Sequence, residues 1–263
     1  MPANLIPFPP IRQRRRPVEK VVLPRWNGWT RIRRTDALIG SFETELRNAY
    51  HRAYPQRLVV GPKDAPICYL AYHLSPKSWL TENEVVAHRR LMGWIEQNGD
   101  RVGAIHLDEW HPVPGIDNDS FLEEMDTWSQ ASYDLGVALS ETWDMEELSE
   151  AGPILDFHLL WMHPAYAKAS LWRDVIQELI RRRYAKQFSV LVQQVFPLEY
   201  EGAGDACIGR GSPFERRRRA MVRLSQRTLG VMPFPGEPAN DGWMWKPLSH
   251  EAPKPKARGE QGS

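Results

Sequence analysis

Two residues in the apolar run Ile154–Met162, ILDFHLLWM, can carry chemistry: Asp156 and His158. Two positions apart on a strand, they project from the same face. Burial raises a carboxyl toward neutrality, and an imidazole titrates near pH 7 unaided. Such a pair suits a general base that takes a proton from an amine. The competing reading makes both of them hydrogen-bonded strand residues with no catalytic part. Glu109 and Asp126 are further carboxylates open to the same argument.

Cationic groups form the complement. Lys168 and Arg173 flank the start of a helix, where they can meet phosphate or simply lie on the surface. Arg216–Arg219 fall on the first turns of a later helix, a poor place for cations, which favours an anionic partner or acidic neighbours. Trp26 and Trp29, interleaved with Arg25, Arg31 and Arg33, can stack on nucleic-acid bases or dock on the core. The formal net charge is only +1, but a basic N-terminal region opposes an acidic stretch over residues 100–156. Cys68 and Cys207 belong to no CxxC pair, so no zinc or redox motif is present, no metal ligand is expected, and two free thiols fit a cytoplasmic protein.

These residues need elements to position them. Residues 1–24 are rich in Pro and Arg and read as a flexible basic arm, and 249–263 read as a disordered C-terminal tail. The domain proper is expected over 25–248. Ser41 caps a helix over residues 42–54, and Arg57–Val60 and Ile67–Leu74 read as strands around the Gly61-Pro62 turn. Thr81 and Glu84 form a capping-box pattern ahead of EVVAHRRLMGWIEQ, which predicts a helix closed by Gly99. Val102–Trp110 reads as a strand, and residues 121–143 as one acidic amphipathic helix.

The C-terminal half alternates more clearly. Ile154–Met162 reads as a strand buried on both faces, Leu171–Tyr184 as a helix and Phe188–Phe196 as a second buried strand. A Gly-rich loop leads to a helix over Phe214–Leu229, capped by Gly230, and Val231–Phe234 and Trp243–Lys246 close the chain as short strands. A strand–helix–strand unit implies a parallel crossover, with ligands beyond the strand C-termini.

The segment Phe157–Trp172, FHLLWMHPAYAKASLW, together with VRLSQRTLGVMPF and the final GWMWKPL, resembles the second half of the GNAT family of N-acetyltransferases. The resemblance covers about Ile154–Leu248. It implies an α/β fold with a mixed, mainly antiparallel central sheet, a parallel strand–helix–strand core and flanking helices, residues 154–248 being the cofactor-binding half. It also implies acetyl-CoA or another acyl-CoA as cofactor and acetyl transfer to an amine-bearing substrate. By the same resemblance, contacts to the cofactor fall on Met162, Ala167, Lys168, Ala169, Ser170, Leu171, Trp172 and Arg173, with an oxyanion donor near Met162. Ala167 stands in the family's Arg/Gln position, and Ser170 and Trp172 stand where glycines are usual. A tryptophan there is expected to fill phosphate space, and Gln226 replaces the family's acidic tyrosine. The expected function is therefore an acyl-CoA-dependent N-acyltransferase with a diverged loop. The alternative is an inactive scaffold of the same fold that binds a protein or nucleic acid through its basic segments. No stretch is long and apolar enough for a membrane span, and a cytoplasmic location is expected.

Overall fold

A computed structural model describes residues 44, 55–62, 66–163, 166, 169–197 and 212–256. The basic arm, most of the helix expected after Ser41, the turn residues Ala167 and Lys168, and the Gly-rich loop with Cys207 lie outside the described residues.

Nine strands form one mixed sheet: β1 (Gln56–Val60), β2 (Cys68–Leu74), β3 (Ser78–Trp79), β4 (Val86–Gln97), β5 (Asp100–Pro112), β6 (Ile154–Met162), β7 (Val190–Gln194), β8 (Met232–Pro233) and β9 (Trp243–Pro247). Their order is β1-β2-β4-β5-β6-β7-β9-β8, with β3 on the flank of β4. Among the described residues only β6 and β7 run parallel; the other pairs are antiparallel. The expected α/β class and mixed sheet are thus present.

Among the described residues, five α-helices cover this sheet. Helices α1 (Asn118–Trp128), α2 (Gln130–Thr142) and α3 (Met145–Glu150) fall between β5 and β6. Helix α4 (Ala169–Leu179) connects β6 to β7, and α5 (Pro213–Leu229) follows β7. The sheet separates two cores. On one face Leu91, Ile105, Leu107, Leu155 and Leu191 meet Val175, Ile176 and Leu179 of α4. On the other face Trp110, Ile154 and Val192 meet Phe121, Met125, Leu139 and Trp143 of the α1–α2 layer.

The segment EVVAHRRLMGWIEQ is a strand rather than a helix. Its apolar residues serve both faces at once: Leu91 and Ile95 enter one core, and Met92 and Trp94 pack on the other side. A strand buried on both sides loses simple alternation and mimics helical spacing. The Thr81–Glu84 signature forms a turn instead. Thr81 Oγ1 accepts from Asn83 N at 3.1 Å and donates to Glu124 Oε1, and Glu84 takes a positive φ of 56°. Gly93 is required within β4, because a Cβ there would stand 2.8 Å from the Ala71 carbonyl oxygen.

The expected single acidic helix is two. Ser129 is extended (φ −170°, ψ 161°), and its side chain caps α2 in a box with Ser132. That local hydrogen bonding stops α1 and starts a new axis. The long helix after β6 also departs from regularity, since Ile180–Tyr184 closes α4 as a π-turn. Gly230, as expected, caps α5 in the left-handed region at φ 70°. Part of the segment read as a tail is held along α2: Trp143 Nε1 donates to Pro253 O at 3.0 Å, and Lys256 N donates to Thr142 O at 2.8 Å.

Candidate functional site

Strand β6 is not buried along its whole length. Ile154–Phe157 are enclosed, whereas His158 is exposed and Leu159–Met162 are half-buried. The change coincides with the loss of a neighbour. The parallel ladder holds only Ile154–Val190, Leu155–Leu191 and Asp156–Val192. Past that point β6 stays with β5 as far as Met162–Gly103, and β7 stays with β9 as far as Gln194–Trp243. The two strands therefore part after Asp156 and form a fork. Beyond it, the β6 backbone groups that face β7 have no ladder partner in that strand.

A β-bulge lies at the same place. His106 pairs with Leu159 and Leu107 with Phe157, which makes His158 the extra residue. Bulges re-aim side chains locally, and here the extra residue is exposed on a central strand. Met162, near which the resemblance places an oxyanion donor, lies four positions further on, and its side chain covers Gly103.

Asp156 and His158 do not stand alone. Asp108 of β5 is directly opposite Asp156. Asp108 Oδ1 accepts from His88 Nε2 at 2.7 Å and Arg90 Nε at 3.0 Å, and its Oδ2 is 3.1 Å from His106 Nε2. That last contact is close but misaligned, so the buried His106 nitrogen makes no hydrogen bond. His88 is fixed between Trp110 and Trp128, with ring centroids 4.6 and 5.0 Å away, and the His106 and His158 rings are 4.6 Å apart. One ligand atom each of Asp108, Asp156 and His158 lies within 4.8 Å of the others.

This arrangement separates the acidities of the two carboxyls. Burial opposes ionisation of Asp108, but the His106 and His88 imidazoles and the Arg90 guanidinium hold it well below the usual carboxylate range. Burial and the adjacent Asp108 charge push Asp156 well above that range. His158 is exposed as a residue, yet protein groups surround its ring. Desolvation and the His106 charge lower it to about 4, with Asp108 opposing and Arg90 adding to the fall. A protonatable carboxyl, an anchored carboxylate and a neutral imidazole thus meet at the fork.

The other predicted site residues fall elsewhere. Glu109 is buried on the opposite face in an ion-paired network with Arg89, Arg183, His111 and Tyr184, which makes it structural. Asp126 is exposed on α1. Ala169 and Ser170 begin α4, which follows β6 in the chain. Leu171 and Trp172 face inward at 7% and 8% exposure and belong to the main core. The expectation that Trp172 fills phosphate space concerns the turn before α4, and Ala167 and Lys168 of that turn lie outside the described residues. Arg173 pairs with Asp174 beside it. On α5, Gln226 is exposed, and the residue turned toward the sheet is Ser225, which accepts from Gln193 Nε2 at 3.1 Å. The arginine run has partners: Arg219 pairs with Glu215 and Arg218 donates to Asn240 O.

Sequence reading missed His88, Arg90, His106 and Asp108. A signal was present, because His106-Leu107-Asp108 mirrors Asp156-Phe157-His158 in two apolar strands.

The architecture is that of a mixed α/β protein with a carboxylate–imidazole cluster where two parallel strands diverge. No protein-family model matches the chain, and no curated protein or solved structure matches it. Among the described residues, no helix is long and apolar enough to cross a membrane.

Proposed function

We propose that the protein is an acyl-CoA-dependent N-acyltransferase of the GNAT kind, with its reaction centre at the β6–β7 fork. The observation that carries the reading is the parting of the parallel pair β6–β7 immediately after Asp156, with the bulged His158 at its mouth. A slot between diverging strands offers unpaired backbone groups to an extended, amide-bearing arm such as pantetheine. The first turn of α4 presents backbone N–H groups for the diphosphate.

In the proposed reaction an amine nitrogen attacks the thioester carbonyl carbon, the C–S bond breaks, and CoA leaves as a thiolate. The amine proton passes to Asp156, directly or across the neighbouring neutral His158. A carboxyl raised above its usual range is better matched to that proton than an ordinary aspartate. Asp108, tied down by His88 and Arg90, stays charged and holds Asp156 in its high-affinity state for a proton. N–H groups of β6 freed at the fork would receive the oxyanion.

Titration calorimetry with acetyl-CoA, followed by a thiol-release assay over a panel of amines and peptide N-termini, tests the proposal. Saturable binding with amine-dependent thiol release supports it. Absence of binding at millimolar acetyl-CoA rejects it, and a salt-dependent interaction with DNA or RNA in its place favours the scaffold alternative.

A further inference from the structure

The cluster at the fork, whose Asp108, Asp156 and His158 also serve the acyl-transfer reading, has a further feature. Two buried carboxylates, Asp108 and Asp156, stand directly opposite one another across β5 and β6. Like charges in that position repel unless a cation or proton lies between them. Among the described residues no group donates a hydrogen bond to Asp156. His106 is 7% exposed, and its Nε2 points at Asp108 Oδ2 without a hydrogen bond to satisfy it. A buried nitrogen that meets a carboxylate without hydrogen-bond geometry calls for an explanation.

We infer that this cluster is a binding site for one divalent transition-metal ion of the zinc class. Asp108, Asp156 and His158 are the ligands, and His106 takes the fourth position. The donor set of two carboxylates and two imidazoles suits such ions and is too nitrogen-rich for Mg²⁺ or Ca²⁺. Ligand atoms at about 2.0–2.1 Å in a tetrahedral shell stand roughly 3.4 Å apart. The 3.1 Å between His106 Nε2 and Asp108 Oδ2 is near that spacing, and ligand atoms of Asp108, Asp156 and His158 lie within 4.8 Å of one another. His88 and Arg90 on Asp108 Oδ1 supply the outer hydrogen bonds that orient a ligating carboxylate. The exposure of His158 gives the ion an entry path.

The site does not depend on the acyltransfer reading. The two share Asp156 and His158, however, so a bound ion removes both from proton transfer. In an acyltransferase the metal is therefore an inhibitor, displaced when the proton-accepting pair is at work.

The test uses the tag-free full chain, stripped with a chelator and titrated at pH 7 with Zn²⁺ by calorimetry and with Co²⁺ by visible absorption. The expected result is one ion per chain, a Co²⁺ ligand-field band from nitrogen and oxygen donors, and a raised melting temperature reversed by EDTA. Asp156→Asn should weaken binding at least about 100-fold, since a ligand loss exceeds the usual outer-shell effect, while raising the melting temperature of the metal-free protein. His158→Ala, at an exposed position, should weaken binding with little change in metal-free stability. No saturable binding near one equivalent, or equal affinity in both variants and the parent, overturns the inference. Acetyl-CoA is absent from these titrations, so its failure to bind elsewhere leaves their outcome standing.

Discussion

Glu109 ties three parts of the molecule together, and its acidity yields a sharp prediction. It sits fully buried on β5, with Oε2 at 2.6 Å from Arg89 Nε of β4 and Oε1 at 2.9 Å from the Tyr184 hydroxyl of the π-turn. Burial opposes its ionisation, but His111, Arg89 and Arg183 bring its carboxyl down to about 2, against 4.5 for the free group. At about 1.4 kcal/mol per pH unit, that difference is worth about 3 kcal/mol. Because the folded-state value is depressed, this stability is fully present above about pH 4.5 and disappears as pH falls toward 2. Glu109→Gln keeps an acceptor for Tyr184 but removes the charge, leaving Arg89 and Arg183 without a counter-ion. The cost at pH 7 is about 3–5 kcal/mol, as for breaking a buried ion pair. Urea unfolding at pH 7, 5, 4 and 3 measures both effects. The parent should lose stability below pH 4.5 more steeply than the variant, the two curves converging. Parallel curves would show that Glu109 is not ion-paired in the folded state, and the reasoning would fail.

Three other substitutions and probes check the packing. Gly93→Ala drives a Cβ into the Ala71 carbonyl and the Tyr72 side chain, and should cost about 1–3 kcal/mol by urea denaturation. Trp143→Phe removes the hydrogen bond to Pro253 O and should cost about 1 kcal/mol, with faster proteolysis at Lys254 and Lys256. Cys68 is buried with its thiol raised to about 11 by desolvation and the Asp174 charge. In a Cys207→Ser background it should stay unlabelled by a thiol reagent at pH 8 until the chain is unfolded.

The legible parts of the sequence were those where one signal governed. Ile154–Met162, with a continuous apolar run, is the strand β6 to the residue, and Gly230 caps α5 as its position suggests. The chain from 81 to 97 misled because a Thr-x-x-Glu pattern also suits a turn, and because a strand feeding two cores loses its alternation. Ser129 was missed because serine inside an amphipathic pattern looks like a tolerated helix residue until its own side chain caps the next helix. Half of the candidate site was legible for the same reasons. Asp156 and His158 lie on the strand that was read correctly. Their partners His88 and Arg90 lie on the strand that was read as a helix, so no cross-strand pairing linked them to Asp108. The fork itself is a matter of where a ladder stops, which depends on strand directions in space and leaves no mark in local composition.

Hydrogen exchange with and without acetyl-CoA tests the central claim most directly, because it reports place as well as binding. The account predicts added protection confined to the β6 amides past Asp156, from Phe157 to Met162, and to the first turn of α4 from Ala169. Saturating acetyl-CoA at about 100 times its Kd should also stabilise the fold by about 2.7 kcal/mol. Unchanged exchange along Phe157–Met162, or protection confined to another face of the sheet, would contradict a cofactor slot at the β6–β7 fork.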